Sequence, residues 1–130
     1  ISKTLGPIKD VLVDSRDLAN EIAKSSLTLH IKPGGESYGH LLHNSYAIGR
    51  PVIINKSAFK DQAGDELLSG DTCFDTDKMS ILELREALIN LASSPNNYLT
   101  MCQRVRARFD AVISWKYEAE KIKRFLERLQ

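Results

Sequence analysis

Strands alternating with helices predict an α/β protein: a Rossmann-like parallel sheet with helices on both faces, ending in a run of three α-helices. Three observations carry this. SLTLHIK, residues 26–32, alternates apolar and polar positions at period two. PVIIN, residues 51–55, is a continuous β-branched run of the kind buried on both faces of a parallel sheet. Between them lies a glycine turn and a helix-period segment, the order of a βαβ unit.

The elements follow in order. Gly6-Pro7 is a turn signal. Asp14 or Ser15 can cap a helix running to about Lys24, with Leu18, Ile22 and Ala23 on one face. The strand at 26–32 ends at Pro33-Gly34-Gly35. A helix from about Gly39 to Ile48 places Leu41, Leu42 and Tyr46 on its apolar side, and Gly49 suits its carboxyl-end cap. Arg50, just past that helix, is expected to complement its dipole. Residues 56–71 read as a loop with one helical turn near 62–68, bordering a ligand cleft, and TCFD, residues 72–75, as a short strand. Ser80 and Glu83 have the spacing of a capping box. Ser94-Pro95 starts another helix with Ser as cap and Pro first. Ser114 can cap the last, where Ile122, Phe125, Leu126 and Leu129 share one stripe. Phe109 and Trp115 occupy apolar positions expected in the core.

The 130 residues suffice for one domain. Hydrophobic residues make up 42% and charged residues 27%, an ordinary globular balance with no run near the ~20 apolar residues of a membrane span. No long apolar stretch of a signal peptide opens the chain. It starts at Ile1, so a fragment or a processed chain is expected. Charge is unevenly spread: residues 56–100 hold four Lys/Arg against eight Asp/Glu, and residues 101–130 hold eight against four. Acidic residues interrupt the basic run and no aromatic platform accompanies it, so a solvated face is expected rather than a nucleic-acid site. Cys73 and Cys102 have neither zinc nor redox-pair spacing and are expected as free thiols.

The carboxyl ends of the strands are where ligands sit in parallel sheets, which directs attention to residues 33–38. Glycines before a helix let an anion approach the free first-turn amides around 35–41, although a plain strand–helix turn fits the same pattern. Neither a Walker loop nor a dinucleotide fingerprint is present. Glu36 would repel a phosphate but suits the hydroxyls of a sugar; complementing the helix dipole is the other use for it. His40 and His43 lack metalloprotease spacing and a clear third ligand, so no metal site is expected. His43 reads as structural.

ESYGHLLHNSYAIGRPVI, residues 36–53, resembles the motif EGFGLxxxEAMAxGxPVI in the C-terminal domain of retaining GT-B glycosyltransferases. SGDTCFDTDKMSILELREAL resembles that family's glycine–strand–Asp passage into a helix. The closing segment, with a Phe and a Ser-Trp pair before the last helix, is similar to its ending. The resemblance covers about residues 15–130 and implies a donor-binding domain for a nucleotide-diphosphate sugar, used as substrate, with no separate cofactor. By position, it implies that Glu36 contacts donor-sugar hydroxyls. Ser37, Tyr38, Gly39, His40 and Leu41 match the loop and first helical turn whose backbone amides meet sugar and diphosphate; Gly34 and Gly35, from the turn pattern itself, are expected to open the approach, and the His40 side chain is expected to face the diphosphate. Asn44 stands where the family's second carboxylate holds the ribose hydroxyls.

Two departures matter. Asn44 is neutral and loses charge-assisted bonds to a diol, which suits a deoxyribose donor such as a dTDP-sugar. The strand–helix units that carry the family's basic pair do not precede residue 26. Residues 1–130 are therefore expected to be one partial domain, inactive alone. Its open strand edge should be covered by the rest of its own chain or a second copy. The resemblance further implies a saccharide or lipid-linked acceptor and a cytoplasmic setting, with the full enzyme at the inner face of a membrane. A non-catalytic sugar-nucleotide module and an α/β domain binding an anionic partner through its basic helices are the alternatives.

Overall fold

A computed structural model describes residues 15–35, 39–68 and 71–129. The chain is an α/β protein. Helix α1 (Ser15–Lys24) leads into strand β1 (Thr28–His30), followed by α2 (His40–Ile48), β2 (Val52–Ile54), β3 (Cys73–Asp75), α3 (Ile81–Ala92), α4 (Pro95–Val112) and α5 (Trp115–Glu127). The three strands form a parallel sheet in the order β1-β2-β3. Thr28, Val52 and Cys73 stand in register, as do Leu29, Ile53 and Phe74, and His30, Ile54 and Asp75. The Gly6-Pro7 turn lies outside the described residues.

Alternation divides the sheet into two faces. Thr28 and His30 point toward α2: Thr28 Oγ1 lies 2.9 Å from Ser45 Oγ, and the His30 ring meets Phe59 edge-on at 5.4 Å. Val52 and Ile54 share this face and enter the main core with Leu42 and Tyr46 of α2, Val105 of α4, and Phe59, Leu67 and Leu68. Each such fully buried apolar side chain contributes about 1.5–3 kcal/mol of transfer free energy. The second face carries Leu29, Ile53 and Phe74. Ile53 is buried, but Leu29 is 64% exposed. Helix α3 meets this side through Leu88 and Leu91, which line a cleft with Leu27, and through Ala87, which lines another with Phe74.

The helix ends follow their sequence signals. Ser80 Oγ accepts from Glu83 N–H while the Glu83 carboxylate accepts from Ser80 N–H, a complete capping box. Ser94 caps α4 with Pro95 in its first turn, and Ser114 caps α5. Gly49 takes the left-handed conformation after α2, and Arg50 N–H donates to Ser45 O at 2.7 Å. The Arg50 side chain departs from expectation. Its Nη2 donates to Ala23 O at 2.8 Å, so it serves the carboxyl end of α1 rather than that of α2.

The helical turn expected near 62–68 is present as a 3-10 turn at Asp65–Leu67; a second, not expected, spans Lys56–Phe59, and Phe59, Leu67 and Leu68 are fully or almost fully buried. One further expectation is corrected. Trp115 is not in the core: it is 70% exposed, whereas Phe109 packs against the core from α4. The chain breaks helical conformation at Ile113–Ser114, and among the described residues α5 makes no extensive contact with another element. An apolar stripe needs a facing partner to be buried, and α5 has no extensive one among the described residues.

Candidate functional site

Parallel strands deliver their carboxyl ends to one side of the sheet, and side chains there fasten the exit loops. Asn55, immediately after β2, clamps the chain leaving β1. Its Oδ1 accepts from Lys32 N–H at 2.9 Å and its Nδ2 donates to Lys32 O at 2.7 Å. At the end of β3, Asp75 Oδ1 accepts from the amides of Lys56 and Asp77, and Asp77 Oδ2 accepts from Ser57 N–H at 2.7 Å. These bonds fix where the 33–35 segment and the Lys56–Phe59 turn start.

Helix α2 opens against this rim. Gly39, its cap, has φ 72° and ψ 66°. A Cβ there would stand 2.6 Å from Phe59 Cε1, and one on Gly64 would stand 2.8 Å from Phe59 Cδ1. Two glycines therefore make room for one buried ring, and Gly39 also meets the φ requirement. The ladder starts with His43 N–H on Gly39 O at 3.0 Å. The amides of His40, Leu41 and Leu42 precede it and have no intrahelical acceptor. Among the described residues no side chain caps the helix start, and its first turn holds no acid. The buried His43 ring also turns to Gly39 O, Nδ1 lying 3.1 Å away. A carbonyl only accepts, so Nδ1 carries the proton.

Beside this helix start lies a cleft of about 480 Å³ lined by Leu18, Leu29, His30, Ile31, Lys32, His40 and Leu41. It joins two of the site residues expected from sequence, His40 and Leu41, with residues from the exit of β1. His40 is exposed and Leu41 half-buried. Asn44 is half-buried on α2, one turn beyond His40. Gly34 and Gly35 are exposed. A Cβ on Gly34 would meet nothing within 4 Å, and one on Gly35 only Ala58 O at 4.0 Å. Their glycine identity is thus not demanded by packing against the described residues. Glu36, Ser37 and Tyr38 lie outside the described residues.

Sequence reasoning passed over Lys32, Asn55 and Phe59. Asn55 had a signal in its place at the end of the VII run. Phe59 had none, because a single Phe in a polar stretch has no period. No group of three or more His, Cys, Asp or Glu able to hold a metal ion occurs among the described residues. No family model, curated protein or solved structure matches the chain.

Proposed function

We propose that this chain is the donor-binding part of a retaining glycosyltransferase of the GT-B type, with a nucleotide-diphosphate sugar as its substrate. The observation that carries the reading is the amino end of α2, with no side-chain cap among the described residues, at the carboxyl end of β1. The first-turn amides and the helix dipole give it partial positive charge, suited to a diphosphate. Lys32 and His40 line the adjoining cleft and add polar side chains to it. Glu36 would then hold donor-sugar hydroxyls. The loop at 34–38 would approach the donor through its backbone, Gly34 and Gly35 leaving that path open. As charge builds on the leaving diphosphate, the amides of His40, Leu41 and Leu42 would stabilise it without a proton transfer.

Asn44 in place of a carboxylate favours a deoxyribose nucleotide, which offers one hydroxyl fewer. The outer edge of β1 would take up the missing strand–helix units, from the same chain or a second copy, and complete a Rossmann-like domain. The isolated residues would bind nucleotide but not transfer sugar to a saccharide or lipid-linked acceptor.

Titration of the isotopically labelled chain with dTDP and with UDP tests this by NMR. The expected result is shifts centred on the amides of Gly35, Gly39, His40 and Leu41, at lower concentration for dTDP. Shifts confined to other regions, or none, would overturn the donor site. Clearly tighter UDP would overturn the part assigned to Asn44 alone.

A further inference from the structure

Helix α5 carries a surface that the sugar site does not use. We propose that α5 docks on an anionic lipid bilayer, lying in the plane of its surface. Trp115, Ile122, Phe125, Leu126 and Leu129 are 70%, 60%, 60%, 54% and 68% exposed. At 100° per residue they and Ala119 fall within an arc of roughly 120°. They form one apolar stripe, carried past the helix end by the turn at Arg128 and Leu129.

The charges around the stripe select the occupant. Lys116 and Lys123 lie along one border, and Lys121 and Arg128 along the other. Glu120 and Glu127 lie at the opposite pole with Arg124. Glu118 alone interrupts the stripe, and Lys121 neutralises it at 2.9 Å. Basic side chains on both borders can extend their stems over apolar surface and hold their charges at headgroup level. The acids face away. Two copies of α5 packed stripe to stripe would bring lysines against lysines, which argues against a homodimer seam.

Availability separates α5 from the other basic helix. On α4, Arg104 pairs with Asp71, Arg106 donates to Ala47 O and binds Asp110, and Arg108 donates to Glu66 O. These cations are tied to the fold. The α5 pairs, Lys121–Glu118, Lys123–Glu127 and Arg124–Glu120, all lie within the helix and are exposed. Such pairs yield readily to a stronger anionic field. No helix among the described residues is long and apolar enough to cross a membrane, so α5 would lie on the surface rather than span it.

Co-sedimentation of the 130-residue chain with vesicles tests this. One set is phosphatidylcholine alone; the other mixes phosphatidylcholine with phosphatidylglycerol. The expected result is at least about ten-fold greater partition onto the anionic set, falling as salt rises. Ile122→Asp, at an exposed position, should abolish it with the circular dichroism spectrum unchanged. The pair Lys121→Glu and Lys123→Glu should abolish it too, while Lys121→Arg with Lys123→Arg should retain it. Absence of partition, or equal partition onto both sets, would overturn the proposal. So would a chain that dimerises through α5 in solution, seen as a sedimentation shift that Ile122→Asp removes. None of these results depends on the nucleotide reading.

Discussion

Gly39 ties local backbone to the core and to the candidate site. Its positive φ costs an L-residue about 1–2 kcal/mol, and a Cβ 2.6 Å from the Phe59 ring adds an overpacking cost of about 1–3 kcal/mol. Gly39→Ala should therefore lower stability by roughly 2–5 kcal/mol in urea unfolding. Gly34→Ala should change it by less than ~0.5 kcal/mol, because its Cβ enters open space. If residues 34 and 35 serve a ligand, Gly34→Ala should weaken nucleotide binding without touching stability.

Tyr46 provides a test through pH. Its hydroxyl is buried and bonded to Thr72 Oγ1 at 2.9 Å and Thr72 O at 3.2 Å. Burial first, and then neighbouring Cys73, pushes its pKa well above the ordinary phenol range. Burial likewise raises the Cys73 thiol. The folded state thus holds these protons after the unfolded chain releases them. Stability is complete below the unfolded values and declines as pH rises past ~8.5 and then ~10. Tyr46→Phe should flatten the steeper part of this decline and cost about 1 kcal/mol at neutral pH, read from thermal unfolding across a pH series.

At the scale of elements, α3 has a complete capping box at its start and only half-buried apolar residues along its inner face. Ser80→Ala should cost about 1 kcal/mol and fray its first turn, measurable by amide exchange. The Glu83 carboxyl is held below its usual range by the bond from Ser80 N–H, with the Ser80 hydroxyl second. Its contribution is present above the unfolded carboxylate value and is lost as pH falls through the folded one. Acid should loosen the start of α3 before it disturbs the sheet.

For the whole molecule, the important feature is an unbalanced sheet. β2 is buried throughout, while Leu29 of β1 and Ile31 just after it are 64% and 48% exposed, beside an outer edge with no described strand against it. Such an edge invites pairing. Leu29→Lys with Ile31→Lys should leave the unfolding midpoint nearly unchanged and reduce concentration-dependent association in light scattering. If the edge receives the missing units of a GT-B domain, the same pair of changes should prevent reconstitution with them.

Much of this fold was legible in the sequence because its signals are local. The period-two run at 26–32, the β-branched run at 51–55 and the serines at 80, 94 and 114 each act through neighbours in the chain. Strand lengths were less legible: the ladder keeps Thr28–His30 and Val52–Ile54 of the longer runs, since pairing depends on the partner strand. The candidate site was half legible. Gly39, His40 and Leu41 followed from the helix start, but the Asn55 clamp on Lys32 spans 23 positions and has no local signature.

The sequence by itself determined the order of the elements, their caps and the parallel α/β class, because backbone preference and apolar period act within a few residues. Only the tertiary structure decided that Phe59 is core and Trp115 is surface, that Arg50 serves α1, and that Gly39 rather than Gly34 or Gly35 is required by packing. The physical reason is common to all four. Burial and close approach are properties of what lies opposite a residue, and that partner is set by the fold rather than by the neighbouring letters.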